Sequence, residues 1–196
     1  MIKMNLTSVA FVVVLACWLG FLLTFLLRKK PPVTSERKRD SSSIFGVVLQ
    51  GLSFLIVWAV RRPIFTSFGP SNKAISVILE IIAVVSAIAS IALVIAAVRI
   101  LGKEWSLTAR VVTGHKLATK GPYNFVRHPI YTAMLGMLLA NGIVSSYWPA
   151  LFVAIAVYLG GTLIRIRSEE RLLLETFGAE FEAYTKRVPA LLPGLY

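Results

Sequence analysis

The sequence predicts an all-α fold of five transmembrane helices, the last two a helical hairpin, with a C-terminal cytoplasmic amphipathic helix. Three observations predict it. Of 196 residues, 57% are hydrophobic and 15% charged, against about 25% charged in a soluble domain. The apolar residues come in long blocks, several near the roughly 20 residues that a helix needs to cross a bilayer core of about 30 Å. The basic residues gather in alternate connections between those blocks, as loops retained on one membrane side do.

The first span runs over Leu6–Leu27. It is too long for the apolar region of a signal peptide and no small-residue cleavage site closes it, so it is read as retained. The second, Ile44–Val60, is short. The third, Ala74–Val98, is rich in Ala and Ser, a face on which helix backbones approach closely in lipid. The fourth, Pro129–Val144, and the fifth, Trp148–Ile166, are separated by Ser145, Ser146 and Tyr147, which predicts a tight antiparallel pair. With these spans, all Lys and Arg except Lys3, Arg61, Arg62 and Lys73 fall on one side. The positive-inside rule then puts the N-terminus outside and the C-terminus inside. The tail from Ser168 to Lys186 carries Leu172, Leu173, Phe177, Phe181 and Tyr184 at helical spacing, with Ser168 as a candidate cap and Gly178 as a weak point.

The net charge of +12 would suggest nucleic acid on a soluble chain. Here the basic residues flank apolar spans instead of forming one stripe, so no nucleic-acid partner is expected, and membrane lipids are. The single cysteine, Cys17, excludes an intrachain disulfide and a multi-cysteine metal site, and no metal is expected. Gln50 and Asn141 stand at membrane depth, where a polar residue is more often interhelical glue than part of a site.

Both histidines fall in one stretch, from Gly114 to Tyr131, the only part of the chain dense in His, Arg, Lys, Tyr, Gly and Pro together. Gly121-Pro122 marks a turn. Pro129 suits the first position of a helix, which puts His128 beside unpaired backbone donors. After the fifth span, Arg165 and Glu169 share a helix face. Because the last two spans form a hairpin, His128 and Tyr131 should meet Arg165 and Glu169, and such a polar cluster at the membrane face is a candidate site. The bland readings are a headgroup-facing Arg127 and His128, interfacial Tyr123 and Tyr131, and Glu169 and Glu170 as an acidic first turn.

These residues resemble the two signature regions of the isoprenylcysteine carboxyl methyltransferase family, and more broadly the membrane phospholipid methyltransferase group. One region runs from Gly114-His115-Lys116-Leu117 through Gly121-Pro122-Tyr123 to Arg127-His128-Pro129-Ile130-Tyr131-Thr132. The other is Glu169-Glu170-Arg171-Leu172 through Phe177-Gly178-Ala179-Glu180-Phe181 to Tyr184, with the tail to Pro193. The resemblance covers residues 99–196; Ala118 stands where the family often has Val.

The resemblance implies a single membrane methyltransferase domain over residues 1–196, with a three-span part (1–98) and a cofactor-binding and catalytic part (99–196). His115, Lys116, Leu117, Ala118, Tyr123, His128, Pro129, Ile130, Tyr131 and Glu169 would line S-adenosylmethionine, and Arg165 would address the acceptor. The expected activity is methyl transfer to the carboxylate of a lipid-tailed, prenylcysteine-like acceptor at the cytoplasmic face. The chain has no glycine fingerprint after a strand, so a soluble-type Rossmann cofactor fold is excluded. A carboxylate is already ionised near neutral pH and needs no base, since its unperturbed pKa is about 4. The alternatives are N-methylation of a lipid amine, a non-catalytic membrane subunit or transporter, and a nicotinamide-dependent reductase. Glu80 is the only acidic residue inside the first four spans, which argues against an ion path.

Overall fold

The computed structural model describes residues 6–27, 36–39, 42–64, 66, 68, 73–102, 110–112 and 117–192. Among the described residues six helices carry the fold: α1 (Leu6–Leu26), α2 (Ser42–Ala59), α3 (Lys73–Leu101), α4 (Pro129–Ser145), α5 (Trp148–Phe177) and α6 (Ala179–Thr185). Two short strands are added, β1 (Glu36–Arg39) and β2 (Arg110–Val112), paired antiparallel with an irregular register. Four helices, α1, α2, α3 and α5, are long and apolar enough to cross a membrane; α4 is apolar with 17 residues.

The outward faces are apolar. Leu15, Leu19 and Leu23 of α1, Ile78, Ile82 and Val85 of α3, and Phe152 and Val153 of α5 are all exposed. Contiguous apolar surface on this scale is unusual on a soluble monomer and marks lipid contact. The inward faces are made of small residues. On α3, Ala83, Ala87, Ser90, Val94 and Ala97 are buried, and a Cβ on Gly136 of α4 would overlap the Ser90 hydroxyl. The small face thus lets α3 and α4 pack backbone to backbone.

Contacts among the helices set the site's geometry. α4 packs chiefly on α3, α5 on α2, and α1 on α3, while the α4–α5 contact is less extensive. Only Ser146 and Tyr147 join α4 to α5. Leu151 lies against Gly142 near this connection, and the Tyr158 hydroxyl donates to the Tyr131 carbonyl further along, so the two helices run antiparallel. The expected pairing of the last two apolar segments is therefore present, but α2 provides the larger surface for α5.

The expected break between a fifth span and a tail helix at Ser168 is not there. α5 continues unbroken to Phe177, and Ser168 is buried in mid-helix. No breaker lies between Ile166 and Phe177, so the charged turn simply extends the apolar helix. The first interruption is Gly178, at φ +50°, where glycine alone is comfortable. α6 follows and buries Phe181 and Tyr184, with Leu117, Leu173, Phe177 and Val188 completing that small cluster.

At the far end of the bundle Arg62 closes α4. Its Nε and Nη2 donate to the carbonyls of Ser146 and Ile143, each at 2.7 Å, and its backbone N–H donates to Ser145 O. The last carbonyls of a helix have no partner within it and carry partial negative charge. Arg62, one of the four basic residues off the majority side, thus caps a helix. Nearby, the Thr7 hydroxyl donates to Glu80 at 2.6 Å, which gives the acidic residue of α3 a local partner.

Candidate functional site

At the opposite end, where α4 begins, the loop before it is shaped by Gly121 and Pro122. Gly121 sits at φ +59°, and residues Gly121–Asn124 form one 3-10 turn. The turn buries Tyr123, whose carbonyl accepts the Tyr184 hydroxyl. Burial comes first, then the nearby Glu169 charge, in raising the Tyr123 phenol above its usual range. Burial likewise pushes Tyr184 up to about 12.

Pro129 is the first residue of α4 and His128 its N-cap. The segment after α6 lies along this helix start. The backbone N–H groups of Arg127 and His128 donate to the carbonyls of Pro189 (2.8 Å) and Ala190 (2.9 Å), and the Thr132 hydroxyl donates to Leu191 O. The Arg127 guanidinium adds bonds to the carbonyls of Val188 and Thr185. The orphan donors expected beside His128 are thus taken partly by a strap from the tail.

The side chains then converge from α4 and α5. Tyr131 donates its hydroxyl to Glu169. Arg165 Nη2 lies 3.4 Å from Glu169 Oε1, and its guanidinium carbon 4.9 Å from the centre of the Tyr131 ring. His128 Nδ1 is 3.5 Å from Glu169 Oε2, and His128 Nε2 is 3.0 Å from Glu170 Oε1. Arg127 Nε pairs with the same Glu170 oxygen at 2.8 Å. The His128 and Tyr131 rings stack at 5.5 Å. Burial disfavours the imidazolium of His128, but the carboxylates of Glu169 and Glu170 outweigh it and hold the group above its ordinary pKa.

Sequence reasoning brings His128, Tyr131, Arg165 and Glu169 together, and the structure has them in contact. Two residues were missed. Glu170 meets both Arg127 and His128, and Arg127 is buried against it; their signal was adjacency to Glu169 and His128. Gln50 of α2, expected as interhelical glue, does bond across to α5, at Thr162 and also at Arg165, 3.1 Å away. Of the other expected residues, Leu117 packs in the apolar cluster with α6, and Ile130 packs against the main core. Ala118 is half-buried in the preceding loop, Pro129 is buried at the helix start, and His115 and Lys116 lie outside the described residues.

The donor and acceptor set fits a cationic, hydroxyl-bearing cofactor such as S-adenosylmethionine. The Glu169 carboxylate is about a quarter exposed and can accept from an ammonium or a ribose hydroxyl. The Tyr131 ring stands beside it, with the Arg165 guanidinium over it, the kind of face that attracts a cation by about 0.5–2 kcal/mol.

Among curated proteins, the chain is 36% identical over 98 residues to the cobalt-zinc-cadmium resistance protein CzcN of Cupriavidus metallidurans, covering 48% of this chain and 44% of that protein. It is 36% identical over 91 residues to methanethiol S-methyltransferase 2 of Bradyrhizobium diazoefficiens, covering 43% and 32%. It is 34% identical over 80 residues to protein-S-isoprenylcysteine O-methyltransferase B of Arabidopsis thaliana, covering 40% of each. The chain thus spans less than half the length of these relatives. Residues 78–175, which run from α3 through the Arg165–Glu170 turn of α5, match the isoprenylcysteine carboxyl methyltransferase (ICMT) family, and the chain belongs to that family.

Proposed function

We propose that the protein is an S-adenosylmethionine-dependent membrane methyltransferase acting on the carboxylate of a lipid-tailed, prenylcysteine-like acceptor. The observation that carries this reading is the cluster of His128, Tyr131, Arg165 and Glu169 where the start of α4 meets the later turns of α5, inside the segment that matches the family. The cofactor supplies a methyl group made electrophilic by its sulfonium. The chain's part is to hold and orient. Glu169 accepts from the cofactor's hydroxyl or ammonium groups, with the ring faces of Tyr131 and His128 beside it. His115 and Lys116 take its carboxylate, and Leu117, Ala118, Tyr123, Pro129 and Ile130 line the remainder. Arg165 holds the acceptor carboxylate by charge and hydrogen bonds. With an ionised acceptor no general base is needed, and proximity supplies most of the effect.

Five spans fit this reading, with residues 1–196 as one domain. At 1.5 Å per residue, α4 reaches only about 25 Å. It is enclosed by protein along most of its length, with Met137, Leu138, Ala140, Asn141 and Gly142 all buried, so its length need not match the lipid. The basic connections would place the cofactor site at the cytoplasmic face.

A small thiol is the second acceptor reading, favoured by the relatives named methanethiol S-methyltransferases. A thiol with a pKa of about 8.5 must first lose its proton, so its rate climbs with pH where that of a carboxylate stays flat. An amine acceptor behaves like the thiol in this respect.

The test is titration of S-adenosylmethionine into the detergent-purified protein by calorimetry, beside His128→Ala and Glu169→Ala. Saturable binding in the wild type, lost in both variants, supports the reading. No binding by a folded wild type removes it.

A further inference from the structure

We propose that Gln50 is a positioning residue that fixes the orientation of the Arg165 guanidinium. The proposal rests on the methyltransferase reading for its consequence, but its geometry is independent of it. α2 and α5 cross at two glycines. A Cβ on Gly46 would lie 2.6 Å from Gly161 O and 2.5 Å from Arg165 Cγ, and one on Gly161 would lie 2.8 Å from Gly46 O. No other residue type permits that approach. One turn along α2, the same crossing inserts Gln50 between Thr162 and Arg165 of α5.

Gln50 is 2% exposed, and both ends of its amide are used. Oε1 accepts from Arg165 Nη1 at 3.1 Å, and Nε2 donates to the Thr162 hydroxyl at 2.9 Å. The orientation of the amide is dictated by chemistry: a guanidinium only donates, so the oxygen must face Arg165. Arg165 is then held on three sides, by the Gln50 amide, the Glu169 carboxylate and the Tyr131 ring. Glu169 meets the fork at Nη2. Gln50 restrains the second nitrogen without adding charge, so the cation keeps its attraction for an anionic acceptor. A carboxylate at position 50 would restrain the fork equally but neutralise it.

Arg-labelled (15N) protein in lipid nanodiscs tests this. The Arg165 Nη signals are identified by their loss in Arg165→Lys and followed in Gln50→Leu, Gln50→Glu and Thr162→Val. In parallel, S-adenosylmethionine affinity and the KM and kcat for N-acetyl-S-farnesylcysteine are measured. We expect slowly rotating, resolved Nη signals in the wild type that collapse in Gln50→Leu and broaden in Thr162→Val. The acceptor KM should rise about tenfold in Gln50→Leu, the size of one hydrogen bond to a charged group, with cofactor affinity little changed. Gln50→Glu should keep the resolved signals and still raise KM. Unchanged Nη signals in Gln50→Leu, or in Thr162→Val if the first variant does not fold, overturn the proposal. So does a parallel loss of cofactor and acceptor binding. Should the wild type bind no cofactor, the methyltransferase reading fails while the Nη signals still decide whether Gln50 orients Arg165.

Discussion

At the scale of single residues, the site turns on two carboxylates, Glu169 and Glu170, that divide three cations between them. Arg165 contacts Glu169, Arg127 contacts Glu170, and His128 contacts both. Arg165 is tied to Gln50 and Glu169 through separate nitrogens, a geometry that uses the planar fork and that a lysine ammonium cannot copy. Arg165→Lys should therefore lose most methyl transfer to the acceptor while S-adenosylmethionine affinity is largely kept, measured by product formation beside calorimetry; full activity would remove the fork from the mechanism. His128 yields a pH prediction. Its native pKa is raised by the two carboxylates, so its contribution to stability is complete below the unfolded value of about 6.5 and disappears as pH rises through the raised value. Melting temperature in detergent should fall over that window in the wild type and change less in His128→Gln. A wild-type curve that rises over the same window would contradict the assigned direction. The pairing of His128 with Glu169 was legible because the last two apolar segments had to return to the same end. Glu170 and Arg127 were not singled out, because sequence spacing says which helix face a residue occupies, not which of two adjacent acids a cation selects.

At the scale of elements, the ends of α4 are held by unlike devices. Its start is held by the tail strap on Arg127, His128 and Thr132, and its end by Arg62. Helix termini left without partners are expensive, and more so where water is scarce. Arg62→Ala removes three charge-assisted bonds to carbonyls and should destabilise the protein by at least about 1.5–3 kcal/mol, the range for one hydrogen bond to a charged group, with little change in cofactor affinity. Thermal unfolding with and without S-adenosylmethionine checks both halves, and a variant as stable as the wild type would show that water replaces the clamp. Helix existence was readable from blocks of apolar residues, since burial in lipid demands length before anything else. The continuity of α5 through Ser168 was not, because a capping residue is favourable only where the chain actually bends, and nothing between Ile166 and Phe177 bends it. The α2–α5 crossing was also hidden. It depends on Gly46 meeting Gly161, a long-range coincidence that neither segment declares by itself.

At the scale of the whole molecule, the proposed activity would require that a water-soluble cofactor and a lipid-tailed acceptor reach one cluster from different phases. The cluster lies where α4 starts and α5 leaves its apolar stretch, and the Arg62 clamp lies at the other end of the same two helices. On the proposed five-span reading, the two ends lie on opposite sides of a bilayer crossed by α4 and α5. On that reading the five-span map assigns all Lys and Arg except Lys3, Arg61, Arg62 and Lys73 to the cluster's side, and the positive-inside rule would make that side cytoplasmic. The chain's single cysteine, Cys17, makes this directly testable. In a Cys17→Ser background, Ile64→Cys and Lys186→Cys each put one thiol at an exposed position, the first beside Arg62 and the second just after α6. A membrane-impermeant maleimide added to intact cells should label the Ile64→Cys protein and reach the Lys186→Cys protein only after permeabilisation. The reverse pattern would keep the helices and the cluster as they are but put the site on the outer face, away from intracellular S-adenosylmethionine. Labelling of both in intact cells would mean that α4 and α5 do not separate the two ends across the bilayer, and the five-span reading would fall with it.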